Sequence, residues 1–466
     1  MATTLHTASV VVSNDASNSG ADEHGVIRDG AVLLENGVVA DVGEASLLKQ
    51  RHPGARVRHH SGVLTPGLVN AHTHLQYTNY ADLAAQGLPF SPWIAQMVER
   101  RMVTTDEQWS EAARAGAFLA LRSGTTAAAD IITDPVALAP IARSGLRGIS
   151  YVESLGADDQ KWADSRRREV DTALATAMSQ TRTAGISPHS LYTLSRRAFT
   201  ESMRRGRELG LRAHTHLSES SDEVEFVALG TGLLAAMAGR IGWQMDVVMC
   251  GGAAHTPVVE MDSLEGLGDD VHVAHGVHCT FEDRALLRER GTAVALCVRS
   301  NKVLSAGRPP VADYLAEGSP IGIGTDSLAS SPSLDLLEEA RATRDLARAQ
   351  GYDASDLDLR IFQAATLGGA FAMGLDGRVD SATGKPADVV GVLRPGALAD
   401  LAVFDVPLNS DEARSAAYDP IAPRSAAHHP IAPRSAAYDP FSALIDHGAG
   451  ECVATVLGGT FVHRRR

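Results

Sequence analysis

The sequence predicts an α/β protein: a (β/α)8 TIM barrel with a small composite β-sandwich domain formed by both termini. Three observations support this prediction. The middle of the chain alternates short apolar segments with helical stretches, both ends are rich in strand-like segments, and histidines gather where the apolar segments end. A chain of 466 residues is long enough for one such barrel and a smaller appended unit.

The two ends of the chain predict the smaller domain. Strand-like runs occupy residues 8–13, 30–34 and 37–42, and similar runs return at 393–405 and 452–462. Asn36-Gly37 lies between two of these runs and favours a hairpin turn, because both residues tolerate positive φ. We therefore expect residues 1–63 and 385–466 to form one β-sandwich domain and residues 64–384 to form the barrel.

The barrel prediction rests on the alternation of strands and helices. Helical stretches at 106–122, 166–184, 196–209 and 334–349 separate the apolar segments. The eight strand-like segments are residues 62–69, 125–130, 147–153, 185–189, 212–217, 271–275, 292–297 and 321–326. In such a barrel the active site lies at the carboxyl ends of the strands, so polar residues at those ends are the first candidates.

Composition narrows the range of partners and compartments. The formal charge of −14, from 42 basic and 56 acidic residues, argues against nucleic acid and anionic membranes as partners. The four cysteines are scattered, which predicts free, buried thiols in a reducing compartment. The amino terminus does not resemble a signal peptide, and no apolar run is long enough to span a bilayer, so we expect a soluble, cytoplasmic protein.

A short repeat interrupts the carboxyl-terminal domain. Residues 414–440 read RSAAYDPIAP, then RSAAHHPIAP, then RSAAYDP. This period is too short for a folded repeat unit, so we expect a duplicated surface loop, with a partner-binding loop as the alternative. His428 and His429 of the middle copy are not counted as metal ligands.

The segment His72-Thr73-His74 follows the first barrel strand. Side chains of a strand alternate between its two faces, so these imidazoles point the same way. Imidazole is a common ligand of zinc and iron, and two on one strand would supply half of a tetrahedral site. In a chain with 18 histidines a chance His-x-His is the alternative, and the pair alone leaves both open.

Other strand ends add further candidate ligands. They are His189 on the fourth strand, His214, His216 and Glu219 on the fifth, His272, His275 and His278 on the sixth, and Asp326 on the eighth. This clustering favours a metal site. A catalytic divalent ion takes three or four such groups and keeps an open position for water, whose pKa it lowers.

These motifs together resemble those of a known superfamily. His72-x-His74, His216-Leu-Ser-Glu219, His275 and Gly324-Thr-Asp326 are similar to the signature of the amidohydrolases. The closest resemblance is to the branch of aromatic aminohydrolases, which includes adenosine-type and S-adenosylhomocysteine deaminases and chlorohydrolases. The resemblance implies a hydrolase that acts on C–N bonds of cyclic amidines.

The resemblance implies that His72, His74, His216 and Asp326 bind the metal. Dinuclear members of the superfamily bridge two ions with a carboxylated lysine on the fourth strand, and residues 184–192 contain no lysine. We therefore expect one divalent metal ion, Zn²⁺, with Fe²⁺ as the alternative.

The resemblance also implies the catalytic roles. Asp326 takes a proton from the attacking water, and Glu219 protonates the ring nitrogen beside the attacked carbon. His275 orients the nucleophile and stabilises the addition intermediate. His214 and His272 are expected to be packed neighbours rather than ligands.

Four residues are candidates for binding the substrate. Phe90 and Trp93, on a loop after the first strand, could stack on a purine, and packing against the barrel rim is the alternative. His189 resembles the histidine that reaches the substrate in nucleoside-type members. Arg299, after the seventh strand, suits a substrate carboxylate, and a salt bridge at the rim is its alternative.

The Phe-x-x-Trp-Ile and Val-Arg-Ser-Asn segments are most similar to those of aminodeoxyfutalosine deaminases. This implies conversion of 6-aminodeoxyfutalosine to futalosine in menaquinone biosynthesis. Deamination of S-adenosylhomocysteine, methylthioadenosine or adenosine is the alternative within the same chemistry. A chlorohydrolase-type amidohydrolase and a non-enzymatic scaffold with a decayed site are alternatives of other kinds. The expected partner is a small nucleoside, and members of this branch often form homodimers.

Overall fold

The computed structural model of the chain describes residues 3–379, 387–408 and 439–465. The strands of these residues form two separate sheets. The first contains β1 (Thr4–Val12), β2 (Val26–Glu35), β3 (Val38–Glu44), β4 (Arg56–Pro66), β13 (Leu401–Phe404), β14 (Cys452–Leu457) and β15 (Thr460–Arg464). The second contains β5 (Leu68–Thr73), β6 (Thr125–Ile132), β7 (Arg147–Ser154), β8 (Thr183–Pro188), β9 (Ala213–Leu217), β10 (Val271–His275), β11 (Ala293–Leu296) and β12 (Ile321–Ile323).

Most helices lie between strands of the second sheet, and two lie between strands of the first, one after β3 and one after β13. Those of the first half are α1 (Ala45–Arg51), α2 (Ala81–Gln86), α3 (Phe90–Val103), α4 (Asp106–Arg122), α5 (Leu138–Ser144), α6 (Asp159–Lys161), α7 (Arg167–Met178), α8 (Arg196–Glu208) and α9 (Ser221–Leu229). Those of the second half are α10 (Gly232–Arg240), α11 (Asp246–Met249), α12 (Pro257–Ser263), α13 (Phe281–Arg290), α14 (Val298–Val303), α15 (Val311–Ala316), α16 (Leu336–Ala349), α17 (Leu357–Gln363), α18 (Gly369–Met373) and α19 (Pro440–His447).

The second sheet confirms the predicted barrel. Its eight strands are parallel neighbours in chain order from β5 to β12. The barrel closes where β12 meets β5 again, through a bridge between Thr73 and Asp326. There the Asp326 N–H donates to the His72 carbonyl (3.0 Å), and the Thr73 hydroxyl donates to the Asp326 carbonyl (2.9 Å). The barrel therefore closes at residues that the sequence assigns to the metal site.

The first sheet joins the two ends of the chain, as predicted. Strand β4 pairs with β1 on one side and with β13 on the other, and the strand order is β15-β14-β13-β4-β1-β2-β3. At the far end of this order, Val39 exchanges hydrogen bonds with Gly396 and Ala397, just before β13. The sheet thus curls around an aliphatic core that both ends of the chain supply.

Local sequence signals explain several elements. The hairpin at Asn36-Gly37 is present, with φ of 53° and 82°, as a type I′ turn requires. Helix α4 has the predicted bounds because Thr105 and Gln108 form a capping box at its start. The helix predicted at 166–184 is too long: α7 ends at Met178, since β8 already begins at Thr183.

Only one of the two predicted domain boundaries, at residues 63/64, lies among the described residues. Strand β4 continues past residue 63 to Pro66, and Gly67 leads directly into β5. A Cβ atom on Gly67 would lie 1.9 Å from the Thr126 hydroxyl oxygen, so only glycine allows this close approach. The boundary predicted at 384/385, and the repeat as far as residue 438, lie outside the described residues.

Two predictions from composition can be compared with the structure. All four cysteines lie in the described part of the chain and are free, but Cys250 is exposed rather than buried. Among residues 3–379, 387–408 and 439–465, the helices are all too short or too polar to cross a membrane.

Candidate active site

The ends of strands β5, β9, β10 and β12 bring the predicted metal and catalytic residues together. Ligand atoms lie within 4.8 Å of one another in three overlapping groups: His72 with His216 and His275, His72 with His74 and Asp326, and Glu219 with His275 and Asp326. All six side chains are buried. The sequence prediction that these residues share one site therefore agrees with their positions.

The spacing of the four predicted ligands suits a single ion. His74 Nε2 lies 3.2 Å from His216 Nε2, and Asp326 Oδ1 lies 3.6 Å from His72 Nε2 and 3.7 Å from His74 Nε2. Ligands that share one ion at about 2.0–2.2 Å in tetrahedral geometry are separated by about 3.3–3.6 Å. Among the described residues, the buried His72 Nε2 also has no hydrogen-bond partner. The donor set therefore fits a divalent metal ion.

A second histidine fixes which nitrogen of His72 can bind the metal. His214 Nδ1 lies 3.0 Å from the His272 carbonyl oxygen, which can only accept, so Nδ1 carries the proton. Burial lowers the pKa of His214 well below its usual value and keeps the ring neutral. His214 Nε2 therefore accepts from His72 Nδ1 at 2.8 Å and leaves the lone pair of His72 Nε2 free for a ligand. His214 thus holds a ligand in place, which is more than the predicted packing.

Similar contacts orient His216 and His275. His216 Nδ1 donates to the His189 carbonyl (3.2 Å), so its Nε2 lone pair points at the metal-binding group. His275 Nδ1 instead accepts from the Asn301 amide (3.0 Å), which places the ring proton on Nε2. That Nε2–H lies 3.5 Å from Glu219 Oε1 and can donate to an oxygen atom in the site. His275 is thus built as a donor, as its predicted role requires.

The two oxygens of Asp326 have different tasks. Oδ2 accepts from the hydroxyls of Ser300 (2.6 Å) and Ser330 (2.8 Å), while Oδ1 faces the histidines. Burial alone would raise the pKa of Asp326, but His72 and His74 hold it well below its usual range. The residue is therefore ionised and can bind a cation. Its φ of 55° is left-handed, an uncommon conformation that the strand bridge to Thr73 supports.

Glu219 has the opposite electrostatic character. Burial, and then the neighbouring Asp326 and Glu223, raise its pKa well above the usual value. Its backbone N–H donates to the Glu223 carboxylate (2.7 Å), as does the N–H of Ser218 (2.9 Å), and these bonds fix the turn after β9. A buried carboxyl with a raised pKa is suited to act as a general acid, and its position beside an ionised Asp326 gives the acid and base pair that such chemistry uses.

A cavity of about 470 Å³ opens beside this group. His74, His216, Glu219, His275 and Asp326 line its inner end. Its outer part, here called the mouth, is mostly apolar. Helix α3 contributes Trp93, Ile94, Met97, Val98 and Met102 to it. Helix α10 contributes Leu234, Met237 and Ala238, and the segment that follows contributes Ile241 and Trp243. The volume is typical of a site for a small molecule.

One wall of the cavity carries charged side chains that the sequence analysis missed. Glu153, at the end of β7, is buried with its Oε1 3.8 Å from His189 Nε2 and its Oε2 4.0 Å from Arg101 Nη1. Burial raises the pKa of Glu153, and Arg101 opposes that shift. Arg166 also lines the cavity. The position of Glu153 at a strand end was a usable signal, but Arg101 lies on a helix where spacing gives none.

Two of the four predicted substrate residues line the cavity. They are Trp93, whose indole N–H donates to the Ala329 carbonyl (2.8 Å), and His189, whose ring centre lies 4.5 Å from that of His216. Phe90 does not: it is 3% exposed and packs edge-on against Tyr192 (ring centres 5.9 Å apart). The prediction that Phe90 stacks on the substrate is therefore wrong, because the ring begins α3 and points into the core.

The predicted role of Arg299 is also wrong. Its guanidinium contacts Glu338, Ser333 and Glu339, with Nε 2.7 Å from Glu339 Oε2. Arg299 is not among the described residues that line the cavity. It forms the salt bridge that was the alternative interpretation, because Glu338 and Glu339 at the start of α16 face it across the ends of two strands.

Three imidazoles and a carboxylate at the carboxyl end of a (β/α)8 barrel form a group that could hold a divalent metal ion. The profile of the Amidohydrolase family matches residues 63–427, and the chain belongs to this family. A 5-methylthioadenosine/S-adenosylhomocysteine deaminase from Haloarcula marismortui is 32% identical over 360 residues, which cover 74% of this chain and 73% of the relative. The prediction of a hydrolase is confirmed.

Solved structures share the fold over nearly the whole chain. A zinc-bound adenosine deaminase from Xanthomonas campestris has a TM-score of 0.73 at 24% identity and covers 99% of this chain and 93% of its own. The Helicobacter pylori aminofutalosine deaminase has a TM-score of 0.75 at 17% identity, with coverage of 98% and 99%. At such identities this likeness establishes the fold alone.

Proposed function

We propose that this protein is a metal-dependent adenine nucleoside deaminase, which replaces the amino group at the six-position of the adenine ring by oxygen and releases ammonia. The observation that carries the proposal is the position of Glu219, a buried carboxyl with a raised pKa, against His275 and Asp326. Deamination of a purine needs an acid for the ring nitrogen beside the attacked carbon, together with a base for the attacking water. The deaminase names of the relatives support the same reaction.

Each side chain of the site has its own role in the proposed reaction. His72, His74, His216 and Asp326 would hold the ion, which supplies a nucleophile near neutral pH by lowering the pKa of a bound water. Asp326 Oδ1 takes the proton from the attacking water and later passes it to the leaving amine. Glu219 protonates the ring nitrogen, so the ring does not carry negative charge, and Glu219 regains a proton from the added hydroxyl when the amine leaves and the carbonyl forms. The His275 Nε2–H donates to the oxygen that adds to the ring.

We further propose a nucleoside with a large, carboxylate-bearing tail, with 6-aminodeoxyfutalosine as the substrate. The apolar mouth extends well beyond the metal-binding group, and Trp93, Met97 and Trp243 offer surface for an aromatic group. Arg101 and Arg166 line the same cavity and supply the positive charge that was expected from Arg299. S-adenosylhomocysteine, methylthioadenosine or adenosine would leave part of the apolar mouth without a partner.

A panel of adenine nucleosides tests the proposal. The zinc-loaded protein is offered adenosine, 5′-methylthioadenosine, S-adenosylhomocysteine and 6-aminodeoxyfutalosine, and the loss of adenine absorbance is followed together with ammonia release. We expect turnover, with the highest kcat/KM for 6-aminodeoxyfutalosine. A higher kcat/KM for S-adenosylhomocysteine would contradict the tail. Absence of ammonia from all four, with dechlorination of a chloro-triazine, would contradict the deaminase.

A further inference from the structure

We propose that the carboxylate of Glu153 binds the ribose hydroxyls of the substrate, and so makes the enzyme select ribonucleosides over deoxynucleosides. The inference rests on the proposed function, since it assumes that an adenine nucleoside occupies the cavity. It concerns a residue with no part in the proposed chemistry, at the end of a strand, β7, that supplies no metal ligand.

Glu153 is a buried carboxylate without a full set of hydrogen bonds. Its side chain is 2% exposed and lines the cavity, and its Oε2 has no hydrogen-bond partner among the described residues. The nearest guanidinium atom, Arg101 Nη1, is 4.0 Å away, which is too far for a hydrogen bond. A buried carboxyl oxygen that lacks a donor is costly, so the cavity suits a ligand that brings donors to it.

The position of Glu153 matches the sugar of a bound nucleoside. His189 stands between Glu153 and the metal-binding group: its Nε2 is 3.8 Å from Glu153 Oε1, and its ring centre is 4.5 Å from that of His216. The imidazole ring of His189 therefore separates Glu153 from the predicted metal ligands. When the six-position of adenine is held at the metal, the sugar lies on the opposite side of the purine, in the direction of Glu153.

The charged side chains on this wall of the cavity favour hydroxyl groups over cationic donors. Arg101 and Arg166 line the same cavity as Glu153, and their positive charge disfavours a cationic ligand. Neutral hydroxyls do not meet this repulsion, and a carboxylate that accepts from a ribose hydroxyl is a common mode of nucleoside recognition. Two neighbouring hydroxyls can donate to the two oxygens of one carboxylate. A 2′- or 3′-deoxynucleoside would leave one of these oxygens unsatisfied.

The test compares adenosine, 2′-deoxyadenosine and 3′-deoxyadenosine on the zinc-loaded wild type and on Glu153→Gln. In the wild type, removal of either hydroxyl should lower kcat/KM by about 10- to 100-fold, the size expected for one hydrogen bond to a charged group. In Glu153→Gln the same removals should change kcat/KM by no more than about threefold, because a neutral amide is more easily left unpaired. Most of the change should lie in KM.

Glu99→Gln is the matched control, since Glu99 is exposed on α3 and is not among the described residues lining the cavity. It should keep the wild-type discrimination. Equal kcat/KM for the three nucleosides in the wild type would overturn the inference, even if Glu153→Gln does not fold. Full discrimination in Glu153→Gln would also overturn it. If the wild type deaminates no adenine nucleoside, the proposed function fails instead, and the two failures are therefore distinct.

Discussion

The inner end of the cavity and its mouth are built in opposite ways. At the inner end several polar groups are positioned by others: the tautomer of His72 is set by His214, and Asp326 Oδ2 is held by Ser300 and Ser330. At the mouth, large apolar side chains stand in solvent, and Met102 is 81% exposed. The side chains of the inner end are thus held by their neighbours, whereas the mouth, as formed by the described residues, exposes apolar surface that a ligand or partner would cover.

This difference separates chemistry from specificity. Strand ends of a closed barrel are rigid, so they can hold ligands and a general acid at the distances a reaction needs. The helices α3 and α10 lie outside the sheet and can change their side chains without disturbing the metal-binding group. We therefore expect substitutions at the inner end to affect kcat or metal affinity, and substitutions at the mouth to affect KM.

The largest effect is expected from Glu219→Gln. The variant keeps the size of the side chain but cannot give up a proton, so kcat should fall by about 10²- to 10⁴-fold while zinc remains bound. The measurements are steady-state deamination and zinc content. Full activity in this variant would remove Glu219 from the reaction.

The pH profile gives an independent check on Glu219. Because burial and the nearby Asp326 and Glu223 raise its pKa, the acid form persists to higher pH than in an ordinary carboxyl and is lost as pH rises through that raised value. The kcat of the wild type should therefore fall on the alkaline side. The residual activity of Glu219→Gln should lack this fall, and an unchanged alkaline limb would point to another group.

The second-largest effect is expected from Arg299→Ala, which should lower the stability of the fold rather than the activity. The side chains of Arg299 and Glu339 are 12% and 0% exposed, so Arg299→Ala leaves a buried carboxylate unpaired. The free energy of unfolding should drop by about 3–5 kcal/mol, as measured by urea denaturation. The ratio of kcat/KM for carboxylate-bearing and plain nucleosides should not change. Arg197→Ala, which breaks an exposed pair with Glu201, should cost less than about 1 kcal/mol.

Arg299 and His72 show what a sequence can and cannot reveal here. The strand pattern and the histidines at its ends predicted the barrel and brought six site residues together, because strand periodicity fixes both where a strand ends and which way its side chains point. Nothing in the local pattern around Arg299 shows that Glu338 and Glu339, some forty residues later, would neutralise it. Long-range pairing of this kind depends on how helices pack.

The same reasoning explains the errors at the mouth. Phe90 and Trp93 lie three residues apart on α3 but have different surroundings. Phe90 packs against Tyr192 in the core, whereas Trp93 lines the cavity. Which side of α3 faces inward is set by tertiary packing, and the sequence alone placed both residues on a loop. Arg101 was missed for the same reason, because it reaches Glu153 only when α3 lies across the end of β7.

A smaller effect is expected from His214→Phe. Phenylalanine keeps the ring that stacks on His272 (ring centres 3.8 Å apart) but cannot accept from His72 Nδ1. Loss of such a partner typically lowers metal affinity by about 10- to 100-fold. Competition with a zinc chelator measures this affinity without any assay of activity. His278→Phe is the control, since His278 donates to the Ala306 carbonyl and should leave zinc affinity unchanged; equal losses in both variants would show a general effect of substitution.

The smallest effect is expected from Arg166→Ala at the mouth. Arg166 is 58% exposed and already pairs with Glu169 (2.8 Å), so a substrate carboxylate gains only a screened interaction from it. We expect KM for 6-aminodeoxyfutalosine to rise by up to about fivefold, with kcat unchanged and adenosine unaffected. Arg168→Ala, two residues further along the chain, alters an exposed side chain that is not among the described residues lining the cavity, and it should leave both KM values as they are. An equal rise in KM for adenosine would mean that Arg166 contacts the nucleoside itself, and the division between an inner end that sets chemistry and a mouth that reads the tail would no longer hold at this residue.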